Sequence, residues 1–130
     1  MSAELFIKSD RTFKVWEFQI SHGQLLIRSP KAPATEASPE QLTNFDLIFL
    51  GVDYMAVPRL MSGLKILPAT VREVEELASL LGKTIESSDV RVLVSSGKRF
   101  PIVASSFSQS QNEWDIFESP FEFRSRFRGT

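Results

Sequence analysis

The chain has no cysteine and a single histidine, His22, among its 130 residues. Thiolate nucleophiles and disulfide-stapled scaffolds are excluded, and zinc or transition-metal sites have almost no ligands to draw on. His22 stands beside Gly23, where a tight turn is predicted. We therefore interpret it as an exposed turn residue rather than as a general base, and we expect no metal and no cofactor.

Patterns that bind phosphate or activate a serine are also missing. The six glycines are spread singly along the chain and form neither a P-loop nor a dinucleotide-binding fingerprint. No Gly-x-Ser-x-Gly elbow occurs, and the serine pairs fall near predicted turns without a base beside them. The sequence therefore predicts a protein that is not an enzyme.

The charge balance and hydropathy of the chain argue against two classes of partner, nucleic acids and membranes. The chain has fifteen lysines and arginines and sixteen aspartates and glutamates, so its formal net charge is −1. Nucleic-acid binders usually carry an excess of basic residues. No apolar run approaches the roughly 20 residues that span a bilayer, and residues 1–4 lack the features of a signal peptide. We expect no nucleic-acid partner, no membrane partner and a cytoplasmic location.

What the sequence does contain is a strand pattern rich in phenylalanine, with eleven Phe, two Trp and one Tyr. Residues 13–20 and 24–29 predict an antiparallel hairpin with a two-residue turn at 22–23. In that register Phe18 lies opposite Ile27 on a buried face. The hairpin is the most clearly marked element of the chain.

The middle of the chain predicts two strands and a helix. Residues 44–57 are apolar on both faces, which is typical of a central strand, and a shorter strand is predicted at 64–67. A helix is predicted over 71–81 because apolar residues recur there at helical spacing. Thr70 and Glu73 form a capping box at its start.

Strand patterns return after the helix. They predict strands at 90–95, 100–107 and 114–118, a polar turn at 108–112 and a last strand-like segment at 121–127. The order of elements places one helix after the fourth strand of a mainly antiparallel set.

These elements predict an α+β fold, mainly antiparallel β, with about seven or eight strands. The sheet is expected to be a curled sheet, a barrel or a two-layer sandwich. Residues 1–130 are expected to form a single domain. Three prolines and three alanines in residues 30–43 predict a long exposed loop.

The C-terminal segment, residues 121–128, is the first candidate binding site. Its alternating parity places aromatic residues on one face and basic residues on the other. The candidate binding residues are Trp114, Phe121, Phe123, Arg124, Arg126, Phe127 and Arg128. Two interpretations stay open: an edge strand of the core, or a surface for another protein or for self-association.

The second candidate is a polar cluster of Asp53, Tyr54 and Arg59 near the end of the central strand. Our main hypothesis is a non-enzymatic protein-interaction or binding module, such as a small inhibitor or immunity-type protein. The alternative is a small-molecule binder or a carboxylate-dependent enzyme with a cavity in the curled sheet.

Overall fold

The computed structural model describes residues 7–37, 39–115 and 118–121. In this part of the chain, one α-helix and one short 3-10 helix follow the fourth of six strands. The elements are β1 (Ile7–Gln19), β2 (Gln24–Ser29), β3 (Asn44–Met55), β4 (Leu60–Pro68), α1 (Val71–Leu81), the 3-10 helix (Ser87–Asp89), β5 (Val90–Ser95) and β6 (Lys98–Asn112).

The six strands form one antiparallel sheet that closes into a ring, in the order β1-β2-β3-β6-β5-β4, with β4 paired back to β1. Alternate residues of each strand point into the ring, and the apolar ones make its core. That core includes Phe13, Leu25, Ile27, Phe45, Leu47, Phe49, Met61, Leu64, Ile66, Leu93, Ile102 and Ala104. The predicted mainly antiparallel fold with a helix after the fourth strand is confirmed.

The predicted number of strands is too high, because six are present in the described residues. Residues 108–112, predicted as a turn, belong to β6 and pair with β3. Their side chains are neither β-branched nor aromatic and so do not favour a strand locally, but pairing with β3 makes them one. Residues 113–115 have no regular structure. The fourth strand begins at Leu60 rather than at the predicted residue 64.

The first hairpin is confirmed, but its predicted register is wrong. Phe18 lies opposite Leu25, and the register shifts between Val15 and Glu17 so that β1 carries a bulge. The strands are joined by residues 20–23 rather than by two residues. The sequence pattern could not show that this longer turn docks on β3, where the amide of Val52 donates to the carbonyl of Gly23 at 2.9 Å.

The helix is confirmed over its predicted length. The hydroxyl of Thr70 accepts from the amide of Glu73, and the Glu73 carboxylate accepts from the Thr70 amide. Gly82 ends the helix at φ +68°, a conformation that glycine adopts without strain. Leu77 packs against the outer face of β5 and β6, on Val90, Val92 and Val103.

The loop at 30–43, described except for Ser38, is mostly exposed. A single bridge joins Ala32 to Gln41 among its described residues. Arg11 of β1 ties both ends of the loop, since its Nη2 donates to the carbonyls of Ser29 (2.9 Å) and Thr43 (2.6 Å). The loop therefore leaves and re-enters the sheet at fixed points.

Candidate functional site

The outer face of the sheet carries a row of residues that lie opposite one another across five strands. The pairings place Leu60 opposite Lys14, Lys14 opposite Arg28, Arg28 opposite Asp46, and Asp46 opposite Ser110. Lys14 is exposed, but Arg28 and Asp46 are fully buried. The row therefore runs from a buried ion pair to a charged surface.

Arg28 and Asp46 form a two-point ion pair. Nε of Arg28 donates to Oδ1 of Asp46 at 2.6 Å, and Nη2 donates to Oδ2 at 2.9 Å. Nδ2 of Asn112 also donates to Oδ2 of Asp46 at 2.9 Å. Parallel bonds of this kind fix the plane of the guanidinium, so Arg28 offers a rigid flat surface to whatever packs on it.

Asn44 extends this polar network to the loop and to Trp114. Its Nδ2 donates to Oδ1 of Asn112 (2.9 Å) and to the carbonyl of Trp114 (2.8 Å), and its Oδ1 accepts from the amide of Lys31 (2.9 Å). Nearby, burial lowers the pKa of Arg11, although the charge of Asp46 raises it. The hydrogen bond from Asn44 holds the backbone of the half-buried Trp114 close to the buried pair of Arg28 and Asp46.

Trp16 stacks on the Arg28 guanidinium. The guanidinium carbon lies 5.5 Å from the centre of the indole, which is within cation–π range. Trp16 is the extra residue of the β1 bulge, and bulges commonly redirect a side chain at functional sites. It borders a hollow of about 470 Å³, here called the Trp16 hollow, whose lining residues are Lys14, Val15, Trp16, Arg59 and Leu60.

The Trp16 hollow combines apolar surface with positive charge. Leu60 is 51% exposed, and Val15 is half-buried. Lys14 and Arg59 are exposed, and neither forms an ion pair with any residue in the described ranges. Arg28, behind the indole, is already neutralised by Asp46. The hollow therefore combines an apolar surface with two cations, Lys14 and Arg59, that are available to pair with a ligand.

A second hollow of about 300 Å³ lies between α1 and the sheet and is lined by Tyr54, Glu73, Glu76, Leu77, Leu80, Arg99 and Pro101. Nε and Nη2 of Arg99 each donate to one oxygen of the Glu73 carboxylate, both at 2.8 Å. The hydrogen bond from Arg99 lowers the pKa of Glu73 to about 2, against the raising effect of burial. The same contact raises the pKa of Arg99. A carboxylate held so firmly in its ionised form is a weak base and a poor proton donor near neutral pH.

The residues of the predicted polar cluster line different surfaces. Tyr54 borders the hollow beside α1, whereas Arg59 borders the Trp16 hollow. Asp53 lines neither and forms an exposed ion pair with Lys83, whose Nζ lies 2.6 Å from Oδ2.

Of the predicted C-terminal site, Phe121 is described and is 2% exposed. The other five predicted residues of that segment lie outside the described residues: Phe123, Arg124, Arg126, Phe127 and Arg128.

Sequence reasoning missed Trp16 and Leu60. Trp16 has the same parity as Phe18, so simple alternation places both on the buried face. The only trace of the bulge in the sequence is that Phe13 and Phe18 differ in parity, and the structure shows that both contact the core. One extra residue between them is needed to turn both inward, and that residue is Trp16, which is half-buried on the outer face of the sheet.

No cluster of three or more metal-binding side chains occurs among the residues the structure describes. Within the same ranges, no helix combines the length and the apolar character needed to cross a membrane. Comparisons with models of protein families, with curated proteins and with solved structures gave no match. The function must therefore be inferred from the geometry of the site itself.

Proposed function

We propose that this chain is a non-enzymatic protein-interaction module that binds an acidic segment of another protein at the Trp16 hollow. The observation that carries the proposal is the composition of this hollow, in which Trp16 and Leu60 meet the available cations Lys14 and Arg59. Tryptophan and arginine are the residue types that most often dominate binding energy at protein interfaces.

The rigidity of the site supports this role. Trp16 rests on Arg28, whose guanidinium is fixed by two bonds to Asp46. An aromatic side chain held in place before binding loses little conformational entropy when a partner arrives. The buried ion pair thus acts as a support for the indole rather than as a contact for the partner.

The charge of the hollow defines the partner. Among the described residues, five side chains line the hollow: two cations, one indole and two aliphatic groups, without a carboxylate, amide or hydroxyl. A small polar ligand would lack the convergent hydrogen-bonding groups that orient it. A peptide segment with an apolar side chain between aspartates or glutamates matches both features, because the carboxylates complement Lys14 and Arg59.

The alternative of a carboxylate-dependent enzyme has less support. Its best location is the hollow beside α1, where Glu73 is bound by Arg99 on both oxygens. Glu76, the other carboxylate there, pairs with Arg72 at 3.0 Å. A general acid needs a pKa raised toward neutrality, and the pKa of Glu73 is shifted the other way.

The test is selection from a displayed library of random peptides against the purified protein. We expect enriched peptides to carry Asp or Glu beside an apolar residue. The affinity of a synthetic enriched peptide, measured by fluorescence polarisation, should fall about tenfold or more for Arg59→Glu and for Leu60→Asp. It should also fall with added salt, because the rim charges are exposed.

Arg72→Glu is the matched control, since Arg72 is an exposed arginine on α1 whose side chain is 88% accessible. It makes the same change in net charge away from the hollow and should leave the affinity within about twofold of the original. Peptides enriched without acidic residues, or equal losses for Arg59→Glu and Arg72→Glu, would contradict the proposal.

A further inference from the structure

The second half of β6 is a sheet edge. As far as Val103, β6 pairs with β5 on one side and with β3 on the other. From residue 104 to residue 112 it continues along β3, but no described strand pairs with its other side. In an antiparallel strand the backbone groups point alternately to the two sides, so this stretch offers hydrogen-bonding groups to a further strand.

This edge lacks the devices that usually prevent pairing. Residues 104–112 read Ala-Ser-Ser-Phe-Ser-Gln-Ser-Gln-Asn and contain no charged residue, no proline and no glycine. Its ladder with β3 is regular from residue 106 to residue 112. Natural sheets protect exposed edges with charges, prolines or bulges. From residue 106 to residue 112 all three are missing, whereas the alternation of β6 breaks once before this stretch, since Ala104 and Phe107 both contact the core.

The edge is also held rigidly against the core. The ring of Phe107 lies 4.9 Å from the ring of Phe49, and the Arg91 guanidinium carbon lies 5.7 Å from the centre of Phe107. The hydroxyl of Ser105 lies 3.4 Å from the carbonyl of Leu50. A strand fixed in this way is ready to accept a partner with little ordering cost.

We infer that β6 pairs with β6 of a second copy of this chain, forming a two-fold symmetric dimer with a continuous sheet. An antiparallel two-fold axis through Ser108 places Ser106 opposite Ser110 of the second copy and Phe107 opposite its Gln109. No like charges meet anywhere along this stretch. An isologous contact of this type closes on itself and does not propagate into fibres. The inference does not depend on the Trp16 hollow, which is lined by residues of β1 and by Arg59 and Leu60.

The test is the oligomeric state of the purified chain by sedimentation velocity over a concentration series. We expect a reversible dimer, with slower amide hydrogen exchange at residues 105–111 as the concentration rises. Ser108→Lys should weaken dimerisation about tenfold or more, because it places two lysines directly opposite each other. Mixing Ser108→Lys with Ser108→Glu should restore a dimer by pairing opposite charges.

Ser79→Lys is the control, since Ser79 is exposed on α1 and the substitution makes the same change in net charge. It should dimerise as the original chain does, and so should Arg59→Glu, which keeps this proposal separate from the Trp16 hollow. A monomer at every concentration overturns the inference. It is also overturned if Ser108→Lys dimerises normally, if Ser79→Lys abolishes the dimer, or if the Lys and Glu variants stay monomeric when mixed.

Discussion

Arg28 and Asp46 place two opposite charges where neither side chain is accessible to water. Removing two ions from water costs several kcal/mol each, and their attraction offsets this cost only when their geometry is good and their other atoms are bonded. Asn112 supplies one further bond to Asp46, at 2.9 Å. Nη1 of Arg28 has no hydrogen-bond partner among the described residues, so the pair is held in place without being fully satisfied.

Removing one member of this pair should therefore cost more than removing both. We expect Asp46→Ala to lower the free energy of unfolding by about 3–5 kcal/mol, since it leaves Arg28 charged and buried. The double variant with Arg28→Met and Asp46→Leu should lose much less. Urea unfolding measures both values, and Asp53→Ala, which breaks an exposed pair with Lys83, should cost at most about 1 kcal/mol. Equal losses for the single and double variants would show that the charges are not coupled.

At the scale of single elements, the helix was predictable because its signals are local. Thr70, Glu73 and Gly82 lie within the helix or next to it, and their geometry needs nothing from the rest of the chain. The register of the first hairpin was not predictable in the same way. It depends on the bulge at Trp16 and on the contact between Gly23 and Val52, and neither leaves a signature within the turn itself.

The end of β6 and the Trp16 hollow were also not predictable from local sequence, because both depend on contacts between distant parts of the chain. Residues 108–112 become a strand because β3 supplies the partner, whereas their own composition favours a turn. The Trp16 hollow joins residues of β1 with Leu60, the first residue of β4, and with Arg59 just before it, and β4 meets β1 only through closure of the ring. A pattern read along the chain contains residue types and spacing, but it does not contain the pairing that brings Trp16 and Leu60 together.

The contact between Glu73 and Arg99 gives the helix a measurable pH dependence. Since folding lowers the pKa of Glu73 from 4.5 to about 2, its contribution to stability is present above pH 4.5 and is lost as the pH falls toward 2. We expect Glu73→Gln to reduce stability at neutral pH and to flatten the stability profile between these values. Thermal melts over that range measure the effect. Glu75→Gln, a change at an exposed position of the same helix, should keep the original slope, and an unchanged slope for Glu73→Gln would contradict the assignment.

At the scale of the whole molecule, the ring must be closed by strands that are far apart in sequence. One edge of β1 pairs with β2, the next strand in the chain. Its other edge pairs with the distant β4, for example Ile7 with Ile66. β3 likewise pairs with the distant β6. Non-local pairing of this kind favours slow folding, because loops must be closed before the core contacts form. The chain after β6 is tied back to this ring through Asn44, which binds the carbonyl of Trp114.

Phe121 tests whether that final segment belongs to the cooperative folded unit. Its side chain is 2% exposed although the last described strand ends at Asn112. We expect Phe121→Ala to lower the free energy of unfolding by about 3–5 kcal/mol, the usual cost of removing a buried phenylalanine. Leu42→Ala, at a site that is 71% exposed, should change it by about 0.5 kcal/mol at most. Far-ultraviolet circular dichroism and tryptophan fluorescence should report one transition in the original chain. If Phe121→Ala unfolds at the original midpoint, the burial of this ring contributes nothing to the stability of the fold. The segment that contains Trp114 is then held by other contacts, among them the hydrogen bonds from Asn44 to the Trp114 carbonyl and from Lys31 to the Glu113 carbonyl.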